Sequence, residues 1–434
     1  MSGGHRHLEK TLHGRRVRCL AWMAWLGAAI FYLYEYFVRV TPSVMEEDLR
    51  RAFGVSASTL GLASGLYYMV YGPLQIVVGP LYDRFGPRRL FTIAAVLLFF
   101  GCFLAALPQF GIAAFAVGRL IMGVGSAFAF IGTMYVASVW FPPSKWAYLS
   151  GLTTALGMLG AILGQGPVAA IIHRVGWKKT WLLEGILGIG IAFLILRAIP
   201  RSPSWELRRR RAHFDTGRHF FGQFLACLFA VARNPQTWLS GTVACALFMP
   251  LIVFADFWGI RYIELLTGVA TAKASAINGM LYLGWLLGSP LFGGLSDRLR
   301  QRRIFLIGSC SCCLLATLTL LSFSHLSTWT TAALLFVLGV VSSPQVICFT
   351  VSMESNPHYA SGAAIALVNT IVMLVGGIMQ SAFGLILDFQ FRFNLPDEGG
   401  YSIGNFRGAL IILPIALFVG GLLSLLIEEP RKSC

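Results

Sequence analysis

Twelve apolar runs, each long enough to cross a lipid bilayer, leave this chain few folds to choose from. They begin near Leu20, Ser58, Leu90, Gly111, Trp146, Thr180, Thr237, Ala272, Ile304, Trp329, Ser361 and Phe406. A helical crossing needs about 20 apolar residues. In lipid a helix pairs all its backbone polar groups within one segment, so runs of this length read as helices. A basic, irregular stretch at 201–235 separates the sixth run from the seventh, and its later part, 220–232, has the pattern of an interfacial amphipathic helix. The expected fold is an all-α membrane protein: twelve transmembrane helices in two pseudo-symmetric six-helix bundles. The divisions read as a tail at 1–19, a bundle at 20–200, a linker at 201–235, a second bundle at 236–428 and a tail at 429–434.

Composition agrees. Hydrophobic residues make up 56% of the chain and charged residues 12%, with a mean hydropathy of +0.72; a soluble domain carries about a quarter charged residues. The net charge of +16 would suggest nucleic acid on a soluble protein. Here most Lys and Arg fall in the N-terminal tail, the linker and the loops on the same side as both, which is the positive-inside pattern. The basic run at 208–211 therefore reads as an orientation signal that meets lipid headgroups, and no nucleic-acid partner is expected. Both termini are expected in the cytoplasm. The first run is too long for a cleavable signal peptide. The sequence holds no Asn-x-Ser/Thr sequon and its tails no acidic di-leucine signal, which together point to a bacterial inner membrane. Nine cysteines are scattered, and the one cluster, Cys310, Cys312 and Cys313, lies in an apolar run without a nearby His or carboxylate. It reads as small packing residues, with no metal or other cofactor expected.

The two halves repeat. GPLYDRFGPRR at 79–89 returns as GGLSDRLRQRR at 293–303, so Asp83 and Arg84 match Asp297 and Arg298 half a chain away. At the same offset Tyr68 matches Tyr282, Tyr71 matches Trp285 and Gly125 matches Gly339, while Gln165 matches Gln380 one residue later. Repeated halves place a substrate site at their interface.

The string Gly79-x-Leu81-x-Asp83-Arg84-x-Gly86-x-Arg88-Arg89 after the second run resembles the signature loop of the major facilitator superfamily, with a degenerate copy after the eighth. Arg119-x-x-x-Gly123-x-Gly125 resembles the family's fourth-helix motif, and Gly164-Gln165-Gly166-Pro167 resembles part of its antiporter motif, read here as a helix bend. GRLIMGVGSAF at 118–128, VWFPP at 139–143 and Gln380 resemble the branch of bacterial proteins related to the lysosomal dipeptide transporter, although Ser126 stands where that branch has an acid. The resemblance implies a secondary transporter, working as a monomer by alternating access. Asp83, Arg84, Gly86, Arg88, Arg89, Asp297 and Arg298 would act as gating latches that pair across the seam between halves. Walker loops, nucleophile elbows and zincin motifs are absent from the sequence, so no enzyme is expected.

Ionisable groups within spans are costly and mark function. Tyr32, Glu35, Tyr36 and Arg39 form one stripe on the first run, and Glu35 and Arg39 can pair at i, i+4. At about 1.5 Å per residue, Glu35 and Arg119 fall at comparable depths, which predicts contact between them. Tyr68, Tyr71 and Gln75 share a face of the second run, and Asn278, Tyr282 and Trp285 share one on the eighth. Asn369, Met373, Gly376 and Gln380 share one on the eleventh, with Gln165 as the symmetric partner of Gln380. All are read as cavity lining. Asp256 and Arg261 close the seventh run and are read as an outer gate or loop anchor in preference to part of a central site; Pro344 and Gln345 predict a kink in the tenth. A cavity holding both signs suits a small zwitterion or organic anion such as an amino acid, dipeptide or carboxylate. Arg119 would take a carboxylate, and Glu35 would answer an ammonium or exchange a proton if Arg119 left it during the cycle. Two alternatives are drug or siderophore efflux on the same fold, and a membrane sensor or scaffold that moves nothing.

Overall fold

The computed structural model describes residues 3–142, 145–200, 217–323, 325–357, 360–393 and 401–429. The described residues form helices joined by short turns and contain no strand. The first span is the end of Gly3–Val40, the second is Ala57–Phe85 and the eighth is Thr271–Leu299. The other nine spans are long and apolar enough to cross a membrane by length and composition: Pro87–Ala105, Pro108–Trp140, Tyr148–Val175, Trp177–Ala198, Pro235–Thr267, Arg303–Ser322, Thr328–Glu354, Ser361–Arg392 and Ile403–Ser424. The two bundles of six helices thus match the sequence reading. The basic run at 208–211 lies outside the described residues, and a helix at Gly217–Ala232 precedes the seventh span.

Twelve crossings return the chain to the face it started from, here called the tail face; the opposite one is the far face. The turn between the second and third spans, on the tail face, is a single residue. Gly86 adopts φ 78° and donates its N–H to Tyr82 O at 3.0 Å, and Pro87 opens the next helix where no N–H is needed.

Several spans are broken, and the breaks of the fourth and tenth follow the repeat. The fourth changes direction between Gly111–Ser126 and Ala129–Trp140, the tenth between Thr328–Ser342 and Gln345–Glu354, where Pro344 cannot donate to the ladder. The fifth breaks between Trp146–Leu163 and Gly166–Val175, at Gly164-Gln165. The seventh carries a π-helical segment, Pro250–Trp258, seeded where Pro250 removes an N–H from the middle of the span.

Glycines set how closely the spans cross. A Cβ on Gly123 would collide with the Tyr67 carbonyl of the second span, and one on Gly339 with the Leu281 carbonyl of the eighth. Tyr67 and Leu281 stand at the repeat offset, so both halves cross at the same point of the second and eighth spans, although the glycine that faces it in the first half lies two residues before Gly125, the repeat mate of Gly339. Backbone cannot yield as a side-chain tip can, so Gly123→Val should push the second and fourth spans apart. The expected result is a melting temperature several degrees lower and at least tenfold slower transport, both measurable on purified protein; an unchanged melting temperature would show that the crossing is loose.

The halves meet mainly through the second and eleventh spans. Gly65 and Gly377 let the backbones touch, and a Cβ on Gly384 would lie 2.5 Å from Ala57 O. Thr370 donates to Gly72 O at 3.0 Å, and the Asn369 amide donates to Gln75 Oε1. At the far face Asp388 on the eleventh span accepts from Ala57 N at 3.2 Å and Ser58 N at 2.9 Å, capping the start of the second span; Tyr401 donates to the same carboxylate. Arg50 lies 4.3 Å over the Tyr401 ring, and Arg261 pairs with Glu47 at 3.2 Å. These contacts close the far face.

Candidate functional site

The centre of the molecule, where the halves meet, gathers two buried acids and two buried arginines within apolar spans. Each is 3% exposed or less. Burying a charge is costly unless it is paired, so the partners of each define what the site can do.

Glu35 and Arg39, one turn apart on the first span, form a buried ion pair, with Arg39 Nη2 at 2.6 Å and Nε at 2.9 Å from Glu35 Oε1. Tyr67 donates its hydroxyl to the same oxygen. The Arg39 guanidinium is wrapped by rings, 4.0 Å from the centre of Tyr36 and 4.9 Å from that of Tyr71. A cation between π faces is held without a second acid.

Arg119 does not reach Glu35. The i, i+4 spacing lets Arg39 satisfy Glu35 first, and the Tyr67 ring stands between, 4.5 Å from the Arg119 guanidinium. Arg119 donates instead to Ser64 O and Arg39 O, both at 3.4 Å, and approaches Met122 Sδ at 3.9 Å. No carboxylate among the described residues is within ion-pair distance of it. This corrects the predicted Glu35–Arg119 contact. Tyr67 was missed, although it lies one turn before Tyr71 on the face already singled out.

Asp256 is also corrected. It does not stand at an outer gate with Arg261. The π-helical segment adds a residue per turn and swings Asp256 inward, while Arg261, on the regular helix Gly259–Thr267, pairs with Glu264 at 2.9 Å and with Glu47. Asp256 Oδ2 accepts from Tyr68 at 2.5 Å and Oδ1 from Tyr282 at 2.6 Å. The repeat-related tyrosines of the two halves thus hold one carboxylate. The π segment also frees the Ala255 carbonyl, which accepts from Gln165 Nε2 at 2.7 Å and Asn278 Nδ2 at 2.8 Å. Asn278 Nδ2 also lies 2.9 Å from Gln165 Oε1, and Gln165 Nε2 lies 3.1 Å from Ser43 Oγ. Gln165 owes its position to the break in the fifth span.

The remaining lining residues are more dispersed. Trp285 packs edge-on against Phe248, and its indole nitrogen has no partner. Gln380 is buried; its backbone carbonyl accepts from Trp258 at 3.1 Å, while its side-chain Oε1 has no partner. Asn369 bonds Gln75 nearer the tail face.

The repeated loops sit on the tail face. The side chain of Asp83 lies outside the described residues. Arg302 pairs with Asp297 at 2.6 Å and with Glu354 at 2.9 Å, all within the second half, so these are not the predicted cross-seam pairs. The helix ends at Leu299 and Arg300 takes φ 51°, a left-handed turn that folds Arg302 back over Asp297. Glu429 then caps the ninth span, accepting from the backbone N–H of Arg302 and Arg303 at 2.8 Å each.

The chain matches the family model described as Major Facilitator Superfamily over residues 24–380. It is 22% identical over 284 residues to a protein of Cupriavidus necator described as a probable sulfoacetate transporter, an alignment covering 63% of this chain and 64% of that one. It is 21% identical over 431 residues to a quinolone resistance transporter of Acinetobacter baumannii, covering 92% of this chain and 91% of that one. Among solved structures it is similar to a bacterial homologue of the human lysosomal transporter Spinster in an inward-facing, occupied conformation, with a TM-score of 0.71, 15% identity, and 94% and 96% of the two chains covered. With twelve spans, repeated halves, the signature loop and a family match over most of its length, this chain is a multi-pass membrane transporter of the Major Facilitator Superfamily.

Proposed function

We propose that the protein carries a small organic anion, a carboxylate or sulfonate or the acidic end of a zwitterion, across the inner membrane of a bacterium by alternating access. Both termini are cytoplasmic in this reading, so the closed far face is the external one. The carrying observation is Arg119: a buried guanidinium that, among the described residues, meets carbonyls, a thioether and an aromatic ring and no carboxylate. Such a group is the natural partner of a planar anion, because a bidentate pair neutralises a charge that is already buried. Arg39 is already neutralised by Glu35 and serves to shape the site. Asp256 offers an acceptor to an ammonium or hydroxyl of the substrate, in place of one tyrosine. The sulfoacetate relationship supports an anion; the quinolone-resistance relationship supports a second reading, drug efflux, in which the tyrosines around Arg39 stack on a planar ring.

The test is counterflow into proteoliposomes with a panel of sulfonates, carboxylates, dipeptides, neutral sugars and a fluoroquinolone. Saturable flux of a monocarboxylate or sulfonate, inhibited by its neighbours in the panel and not by neutral sugars, is expected. Flux of the fluoroquinolone alone would favour efflux, and flux of none would favour a sensor or scaffold.

A further inference from the structure

Glu184 is a buried acid that the central site does not use. It sits on the sixth span, 3% exposed, between the first and third spans. No Arg, Lys or His among the described residues lies within ion-pair distance. The first span presents Tyr34, which donates to the Glu184 backbone carbonyl at 2.9 Å, and Thr41; the third presents Cys102. His173 and Arg174 at the end of the fifth span, and Lys178 and Lys179 on the sixth, are exposed at the far face. Lys178 is six residues from Glu184, about 9 Å along the helix.

The hydrogen bonding leaves two places for a proton, and burial decides between them. Thr41 Oγ1 lies 2.9 Å from Phe37 O, one turn back on its own helix, and 3.1 Å from Glu184 Oε1. A hydroxyl carries one hydrogen. If it goes to Phe37 O, the Glu184 contact requires a proton on the carboxyl, donated to Thr41. The alternative is a carboxylate with one hydrogen bond, no cation and a second oxygen, Oε2, with no partner. A bare charge buried like that costs far more than a neutral acid with one unmade bond.

Thr41 also opens the turn Thr41–Val44, which ends the first span and packs on the π-helical segment of the seventh; its Ser43 meets Gln165. All four residues of the turn are buried. Parting the halves at the far face uncovers this turn and brings external water to Thr41 and Glu184.

We propose that Glu184 is a proton-binding site outside the substrate path, protonated while the far face is closed and exchanging with external water only when it opens. The sign follows. Closure requires the neutral acid, so low external pH favours the closed far face. Ionisation at higher pH holds it open, by up to about tenfold in the open-to-closed ratio per pH unit, the limit for one proton. This deepens the transporter reading but needs no substrate to test.

Infrared spectra of the reconstituted protein should contain a carboxylic-acid carbonyl band, sensitive to deuterium exchange, that disappears in Glu184→Gln and persists in Glu35→Gln. In nanodiscs, the far-face opening measured by the distance between spin labels on the second and eleventh spans should rise with pH in the wild type and stay flat in Glu184→Gln. Thr41→Val, which keeps the shape and removes the acceptor, should move the band to higher frequency. A band absent from the wild type or retained in Glu184→Gln overturns the proposal, as does an unchanged pH response in that variant. If Glu184→Gln does not fold, a band that Thr41→Val fails to move overturns it. A failure to find flux of any organic anion leaves these measurements standing and counts only against the substrate class.

Discussion

Arg119→Ala should abolish saturable anion transport while leaving the substrate-free protein at least as heat-stable as the wild type. The two halves of this expectation have one cause. In the structure the Arg119 guanidinium is 1% exposed and has no carboxylate partner among the described residues, so without substrate it is a cost to the fold. Removing an uncompensated buried charge relieves that cost and offsets the packing lost with the side chain. With substrate bound, the same guanidinium becomes half of a buried ion pair. Truncating one partner of such a pair costs about 2–5 kcal/mol, which at 1.4 kcal/mol per tenfold is a loss of affinity of roughly 30-fold to several thousandfold. Arg119→Lys should recover little, because an ammonium offers no planar fork to a carboxylate or sulfonate. Calorimetry with the best anion from the flux panel, beside thermal melting of the empty protein, reads both numbers. A variant that melts much lower than the wild type and binds anion normally would make Arg119 a structural residue and remove the basis of the substrate assignment.

The sequence made the fold readable because lipid makes one demand on every crossing. Twelve apolar runs and a repeat at half the chain length were enough for the architecture, and Gly164-Gln165 and Pro344 marked two of the breaks. The site was less readable where local geometry departs from a regular helix. Asp256 and Arg261 look like a pair near the end of the seventh span, and on an unbroken helix they would lie near the far face together. The π-helical segment from Pro250 to Trp258 turns one inward and leaves the other outside, and a proline in a span does not say whether a kink or a π segment follows. Glu35 and Arg119 were matched by depth, which carries no information about what stands between; Tyr67 stands there. Glu184 lacked a spacing signal altogether. Its partner, Thr41, is 143 residues away in the chain, and a lone acid early in an apolar run resembles many others until the packing around it is known. Across the seam Asp388 met backbone N–H groups, a kind of partner no residue pattern encodes.

Tyr68→Phe and Tyr282→Phe each delete one hydroxyl from the same carboxylate, yet they should shift the transporter in different ways. Tyr68 belongs to the first half and Asp256 to the second, so their 2.5 Å hydrogen bond spans the seam and is expected to break when the far face opens. Tyr282 and Asp256 are both in the second half, and their 2.6 Å bond travels with that half through the cycle. A hydrogen bond to a charged group contributes about 1.5–3 kcal/mol. Lost from one state only, it moves the open-to-closed ratio by about tenfold or more; lost from both, it moves the ratio little. The Tyr282 hydroxyl also lies 3.5 Å from Gln165 across the seam, a contact too long to change this ordering. Distances between spin labels at the far-face ends of the second and eleventh spans should therefore lengthen in Tyr68→Phe and stay near wild type in Tyr282→Phe. Transport should fall in both, because both leave Asp256 short of a donor in the closed state. Equal lengthening in the two variants would mean that Asp256 organises its surroundings without tying the halves together. The far face would then be held by the other contacts across the seam, among them Asp388, Arg261, the Arg50–Tyr401 stack and the glycine crossings of the second and eleventh spans.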